Sequence, residues 1–262
     1  MSRWLCALCA VAVAIWAGGS PIQAAALDVA KIAAIDKAAD GFSAMARDAY
    51  RTGQPPRQTD PAAKALLDIV FDTSPLKTGG PVPFAEIDKL NNWVLRVVTV
   101  GSVYIFAGTG VTDFARLQAK PLDETQQRQI ELNTAAFAPE LGRYFDAEVQ
   151  LEQALVETTM VELAAHPAGY ATPQAEGGLN KMRGGLKQTL TGVIVTMLTA
   201  GLEPDWLRAR LPPLIAIAPV AAKFLSPADR SELRDIAQEV AAQLTDPGVK
   251  SGLDNFAKAI GG

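Results

Sequence analysis

Residues Gly177 to Leu202 read GGLNKMRGGLKQTLTGVIVTMLTAGL, and glycine recurs in this stretch at heptad spacing, at Gly178, Gly185 and Gly192. Leu179, Leu186 and Val193 run beside them. Seven residues make nearly two helical turns, so the glycines form one stripe of a helix and the larger apolar residues the next. Each glycine inside a helix costs about 1 kcal/mol relative to alanine. Several in one helix need an offset, and the close approach of another helix backbone supplies one. The spacing predicts that 177–202 is the central helix of an all-α core.

The spacing returns at Gly101 and Gly108, at the end of a segment that starts at Phe84 and grows steadily more apolar. No charge falls between Arg96 and Asp113, a run of 16 residues. Val97-Val98-Thr99-Val100 is a β-branched run that also suits a strand. The length of the segment and the lack of a partner strand favour a helix over 84–107. Two deeply buried, glycine-striped helices packed on each other are therefore the expected centre of the fold.

The rest of the chain reads as helices separated by proline and glycine. Leu27 to Tyr50 has apolar residues at helical spacing, and 51–60 (RTGQPPRQTD) is a linker. Asp60-Pro61 opens a helix with a cap and a first-turn proline, and 72–83 is a long polar turn. Asp123 caps a glutamine-rich helix to Phe137, Pro139 interrupts the pattern, and a long helix runs over 140–165. Residues 167–176 read as loop. Pro212, Pro213 and Pro219 predict short kinked pieces after Pro204. Ser226-Pro227 and Asp246-Pro247 start the last two helices. No repeat of solenoid length appears. The expectation is a single all-α domain over 25–262, of about eight helices.

Ahead of it, Arg3 and the uncharged stretch from Trp4 to Trp16 resemble the n- and h-regions of a cleavable export signal, with small residues near Ala24 for cleavage. The apolar run has 13 residues, short of the roughly 20 that a membrane span needs. Residues 1–24 are read as this signal peptide. Cleavage removes Cys6 and Cys9, both of the chain's cysteines, and leaves 23 basic against 28 acidic residues. Richness in Ala, Gly and Pro suggests a bacterial source and hence the periplasm.

Several function classes lack their residues. Nucleic acid as a partner is not expected, because no basic run of five or more residues occurs. His166 is the one histidine, so neither paired Glu-x-x-His elements nor a zinc ligand set can be assembled. No metal and no cofactor is expected. Glu162 with His166, and Glu148 with Glu152, are four apart and read as the solvated face of a helix. No Gly-x-Ser-x-Gly elbow supports a nucleophilic hydrolase. A pair of carboxylates brought together from distant positions stays open. Polar residues within the apolar helices are the remaining clue. Arg96, Tyr104 and Lys187 are candidate ligand-binding residues, with Arg96 holding an anionic head group. The competing reading is a buried ion pair or a snorkelling side chain.

Two classes compete. The first is a non-enzymatic exported protein that binds a protein partner, a lipid or an apolar small molecule. The second is a membrane-associated protein whose runs at 97–112, 188–202 and 211–222 contact lipid. A helical hydrolase stands third. The expected exported protein begins near Ala25 and carries no free thiol. Intact-mass measurement checks this, and an exported full-length chain overturns it.

Overall fold

Local capping decides where most helices begin. In a computed structural model that describes residues 27–77, 81–112 and 122–261, every regular element is helical. Asp28 accepts a bond from the Ala30 amide and starts α1 (Val29–Met45). The short α2 (Ala49–Thr52) follows, and Asp60 caps α3 (Pro61–Val70) through the Ala62 amide. A 3-10 turn at Phe84–Glu86 leads into α4 (Ile87–Ile105). Asp123 and Gln126 close a reciprocal capping box on α5 (Glu124–Ala136). Then come α6 (Ala138–Ala165), α7 (Pro173–Thr196), α8 (Pro204–Ala209), α9 (Leu211–Phe224), α10 (Pro227–Gln243) and α11 (Pro247–Gly261). Ser226 caps α10 through the Asp229 amide, and Asp246 accepts from Val249 at the start of α11. The proposed signal peptide, residues 78–80 of the polar turn and residues 113–121 lie outside the described residues.

Several boundaries differ from the sequence reading, each for a local reason. The expected loop 167–176 is largely structured, because Thr172 caps the Ala175 amide and Pro173 opens α7 four residues before the glycines. The proline-rich stretch makes one continuous helix over Leu211–Phe224. Pro212 and Pro213 sit in its first turn, where an amide has no helical partner to lose, so only Pro219 removes an internal bond. Pro139 likewise falls in the first turn of α6 and begins that helix. The run Val97–Val100 is helical.

The expected pairing of the two glycine-striped helices is overturned. Helix α4 packs on α6 and α1, whereas α7 packs mainly on α10 and touches α6 along a short length. The middle of the fold is α6. It meets α4 on one side and α9 on another, and α9 in turn carries α11, against which α10 lies. Gly178, Gly185 and Gly192 are half-buried, and a β-carbon at Gly177 or Gly184 would meet nothing. Close helix contacts are made by three glycines outside this segment. A β-carbon at Gly101 of α4 would enter the ring of Tyr144 of α6, one at Gly142 of α6 the guanidinium of Arg210, and one at Gly252 of α11 the side chain of Leu211. Gly108 is not helical. It follows α4 with φ 72°, back to back with Gly53 at φ 70°, and its amide donates to Ala49 O at 3.0 Å. Only glycine takes this left-handed backbone readily and lets two chains come so close.

The apolar runs considered for lipid contact lie in these helices and turn their large residues inward. Val97, Val100, Leu190, Ile194, Leu214 and Ile217 are all buried. No described helix is long and apolar enough to cross a membrane.

The linker at 51–60 is pinned rather than free. Arg57 Nε donates to Glu140 Oε1 at 3.0 Å, the Gln58 amide donates to the same oxygen at 2.9 Å, and Tyr104 donates to Pro56 O at 2.7 Å. Glu140 is fully buried. Removing its one cation leaves a buried charge, so Arg57→Ala is expected to lower stability by about 3 kcal/mol, read from denaturant midpoints. The glycines give a paired test. Gly101→Ala is expected to destabilise by roughly 1–3 kcal/mol through overpacking against Tyr144. Gly184→Ala is expected to stabilise by up to about 1 kcal/mol through helix propensity. Thermal melts of the two variants check both signs.

Candidate functional site

In α6 the positions 141, 145, 148, 152, 155 and 159 alternate by four and three and so share one face. They hold Leu141, Phe145, Glu148, Glu152, Leu155 and Thr159. Five of the six are buried, and Glu152 is half-buried. The two glutamates therefore occupy positions of a core stripe. This corrects the reading of Glu148 and Glu152 as a solvated face. Glu162 is also buried, and only His166, which faces it with Nδ1 at 3.0 Å from Oε1, is exposed.

The acids carried by α6 are handled in different ways. Glu140 has Arg57 and the Gln58 amide. Asp146 meets Arg210 at 2.9 Å, and Arg210 is itself buried with its guanidinium over the Trp206 ring. Glu148 has no cation. It is 3% exposed, and its Oε1 accepts a bond from the Thr189 hydroxyl of α7 at 3.3 Å. The Tyr144 hydroxyl lies beside the same carboxyl closely enough to favour its ionised form, yet Oε2 has no hydrogen-bond partner of normal geometry. Burial raises the Glu148 carboxyl to about 7. Glu152, one turn on, is raised to about 8 by burial and then by the charge of Glu148. Burial outweighs the hydrogen bonds because a carboxylate without a cation loses more solvation than two hydroxyls restore. Two adjacent acids that cannot readily ionise together hold at least one proton near neutral pH.

Across this stripe lies the α7 face formed by 182, 186, 189 and 193. Met182, Leu186, Thr189 and Val193 on it are buried. Thr159 approaches Met182 Sδ at 3.9 Å. The half-buried glycine row is the adjacent stripe of α7. The α6–α7 seam is thus an apolar contact with two protonatable carboxyls, two hydroxyls and a thioether set into it.

The three residues proposed from the sequence are placed apart and each has a protein partner. Arg96 clamps α4 to α1, with Nε 2.8 Å from Asp36 Oδ1 and Nη1 2.8 Å from Asp40 Oδ1. Lys187 joins α7 to α10 through Asp229 at 3.1 Å and through Glu232. Tyr104 is buried between Phe42 and Phe137, and burial raises its hydroxyl strongly. The structure does not gather these three into one site. The residues missed were Glu148, Glu152 and Thr189. Their signal was present as two glutamates in register with Leu141, Phe145 and Leu155. Among the described residues no three His, Cys, Asp or Glu side chains are gathered so as to hold a metal ion.

Comparison with known protein families, with characterised proteins and with solved structures gives no match, so the geometry of the seam carries the functional reading.

The seam fixes a pH dependence. Unfolded glutamates titrate near about 4.3, whereas the folded carboxyls titrate at about 7 and about 8. The folded state therefore binds the extra protons. The contribution of these two groups to stability is fully present below the unfolded value and is lost as pH rises through the folded values. We expect stability to fall between pH 5 and 8 by up to about 1 kcal/mol per pH unit for each carboxyl. Glu148→Gln/Glu152→Gln should flatten this slope. Urea midpoints across the range measure it.

Proposed function

We propose that the chain is an exported, periplasmic helical protein that binds a small molecule with an apolar part, or a partner presenting such a group, and performs no chemistry on it. Interior positions are normally filled by groups that satisfy one another, and a buried acceptor without a donor costs about 1–3 kcal/mol. The observation that carries the reading is Glu148 Oε2, buried and without a hydrogen-bond partner of normal geometry, on a carboxyl flanked by Met182 of α7 and Leu155 of α6. A bound molecule that brings a donor and an apolar body fits both features.

Arg96 of α4, Lys187 of α7 and Arg210 at the head of α9 are engaged elsewhere, in pairs with Asp36, Asp40, Asp229, Glu232 and Asp146. The guanidinium of Arg96, the residue proposed for an anionic head group, is held by Asp36 and Asp40. Native mass spectrometry of the protein purified from the cells that make it is expected to show a bound mass that is lost on denaturation and reduced in Glu148→Gln. A protein isolated with no bound mass and no retained partner overturns the reading.

A further inference from the structure

We propose that the α6–α7 seam binds an organic ammonium ion with an apolar tail, its N–H groups donating to the carboxyl oxygens of Glu148 and Glu152. The proposal rests on the binding reading above and names the class of ligand. Its first support is geometric. Glu148 is almost fully buried, its Oε2 has no hydrogen-bond partner of normal geometry although the Tyr144 hydroxyl lies beside the carboxyl, and Glu152 stands one helical turn away at the half-buried edge of the same stripe. An ammonium entering past Glu152 would meet both carboxyls, because residues four apart share one helix face. Met182 and its apolar neighbours suit a hydrocarbon tail, and the thioether adapts to irregular shapes.

The second support is charge. Neither carboxyl has a cation lowering it, and Thr189 and Met182, which α7 turns toward the stripe, carry no charge. Arg96 of α4, Lys187 of α7 and Arg210 at the head of α9 are held by other acids, and Arg183 of α7 donates to Phe224 O. On α6 itself, Arg143 pairs with Asp68, and Tyr144 supplies only a hydroxyl. The seam thus lacks one positive charge, and at neutral pH a proton takes its place. An ammonium ion replaces that proton: the ligand enters as R-NH3+, a carboxyl releases H+ to solvent, and the charge of the seam is unchanged. A hard metal ion is a poorer fit, since calcium takes about 6–8 oxygens and no third carboxylate joins this pair among the described residues.

The test uses the mature protein and n-octylammonium, with octanoate, octanol and calcium as comparison probes, by calorimetry at pH 6 in two buffers of different ionisation enthalpy. The expected result is saturable octylammonium binding with proton release, weakened tenfold or more in Glu148→Gln/Glu152→Gln. Binding should be unchanged in Glu124→Gln/Glu131→Gln, which removes two exposed charges instead. Octanol or octanoate binding as tightly, calcium alone binding at the pair, or affinity unaffected by the seam variant overturns the proposal. Should the double variant not fold, absence of proton release in the wild-type protein overturns it equally. A neutral or anionic molecule found bound in the native protein would retain the binding reading and overturn this inference alone.

Discussion

The packing of α6 against its neighbours is the contact on which the other helices depend. This one helix meets α4, α5, α7 and α9, and at two of those faces a glycine faces a large side chain. Gly101 of α4 receives the Tyr144 ring, and Gly142 of α6 itself makes room for Arg210. Each pairing brings two helices close and seats a bulky group in the space created, which raises dispersion contact while leaving no void. The same device recurs where Gly252 of α11 accepts Leu211. The C-terminal helices α9, α10 and α11 reach the N-terminal ones through α6. Loosening α6 would therefore separate two groups of helices that otherwise have little to hold them.

A helix placed so centrally would be expected to be apolar all round, yet α6 buries Glu140, Glu148 and Glu162 and half-buries Asp146 and Glu152. Charge in the interior is tolerable when paired and hydrogen-bonded, or when neutralised by a proton. Both solutions occur along one helix. At its N-terminal end Glu140 fixes the 51–60 segment through Arg57, and Asp146 fixes the α8–α9 corner through Arg210. These pairs specify which segments dock where. Glu148 and Glu152 follow the second course, and a proton on a buried carboxyl can be exchanged for another positive group. That difference separates positions that hold the fold from the positions at which we place binding.

The ion pairs of Arg96 and Lys187 show why polar residues in apolar helices are ambiguous guides. Both link one helix to another across 42 to 60 residues of chain. Both sit where the side chain's stem can lie on apolar surface while its charged end reaches a carboxylate at the rim. Lys187 would read identically in the sequence whether it met a ligand or α10. Asp229, its partner, also accepts the Ser226 hydroxyl, so the cap of α10 and the α7–α10 bridge share one residue.

The helical class and most helix starts were written locally, in the caps at Asp60, Asp123, Ser226 and Asp246 and in apolar spacing that closes within a few residues. Capping and periodicity involve neighbours in the chain, so they survive whatever the tertiary arrangement. The sequence alone could not say which glycines are crowded. Gly184 and Gly142 look alike as letters, and only the arrival of Arg210 from 68 residues away distinguishes the second. Nor could it say that Glu148 and Glu152 face inward, because two acids four apart mark one helix face whether that face meets water or α7. Their raised protonation and the missing partner of Oε2 exist only once tertiary packing removes water from them. Desolvation is a property of the assembled interior, and no single segment of the chain carries it.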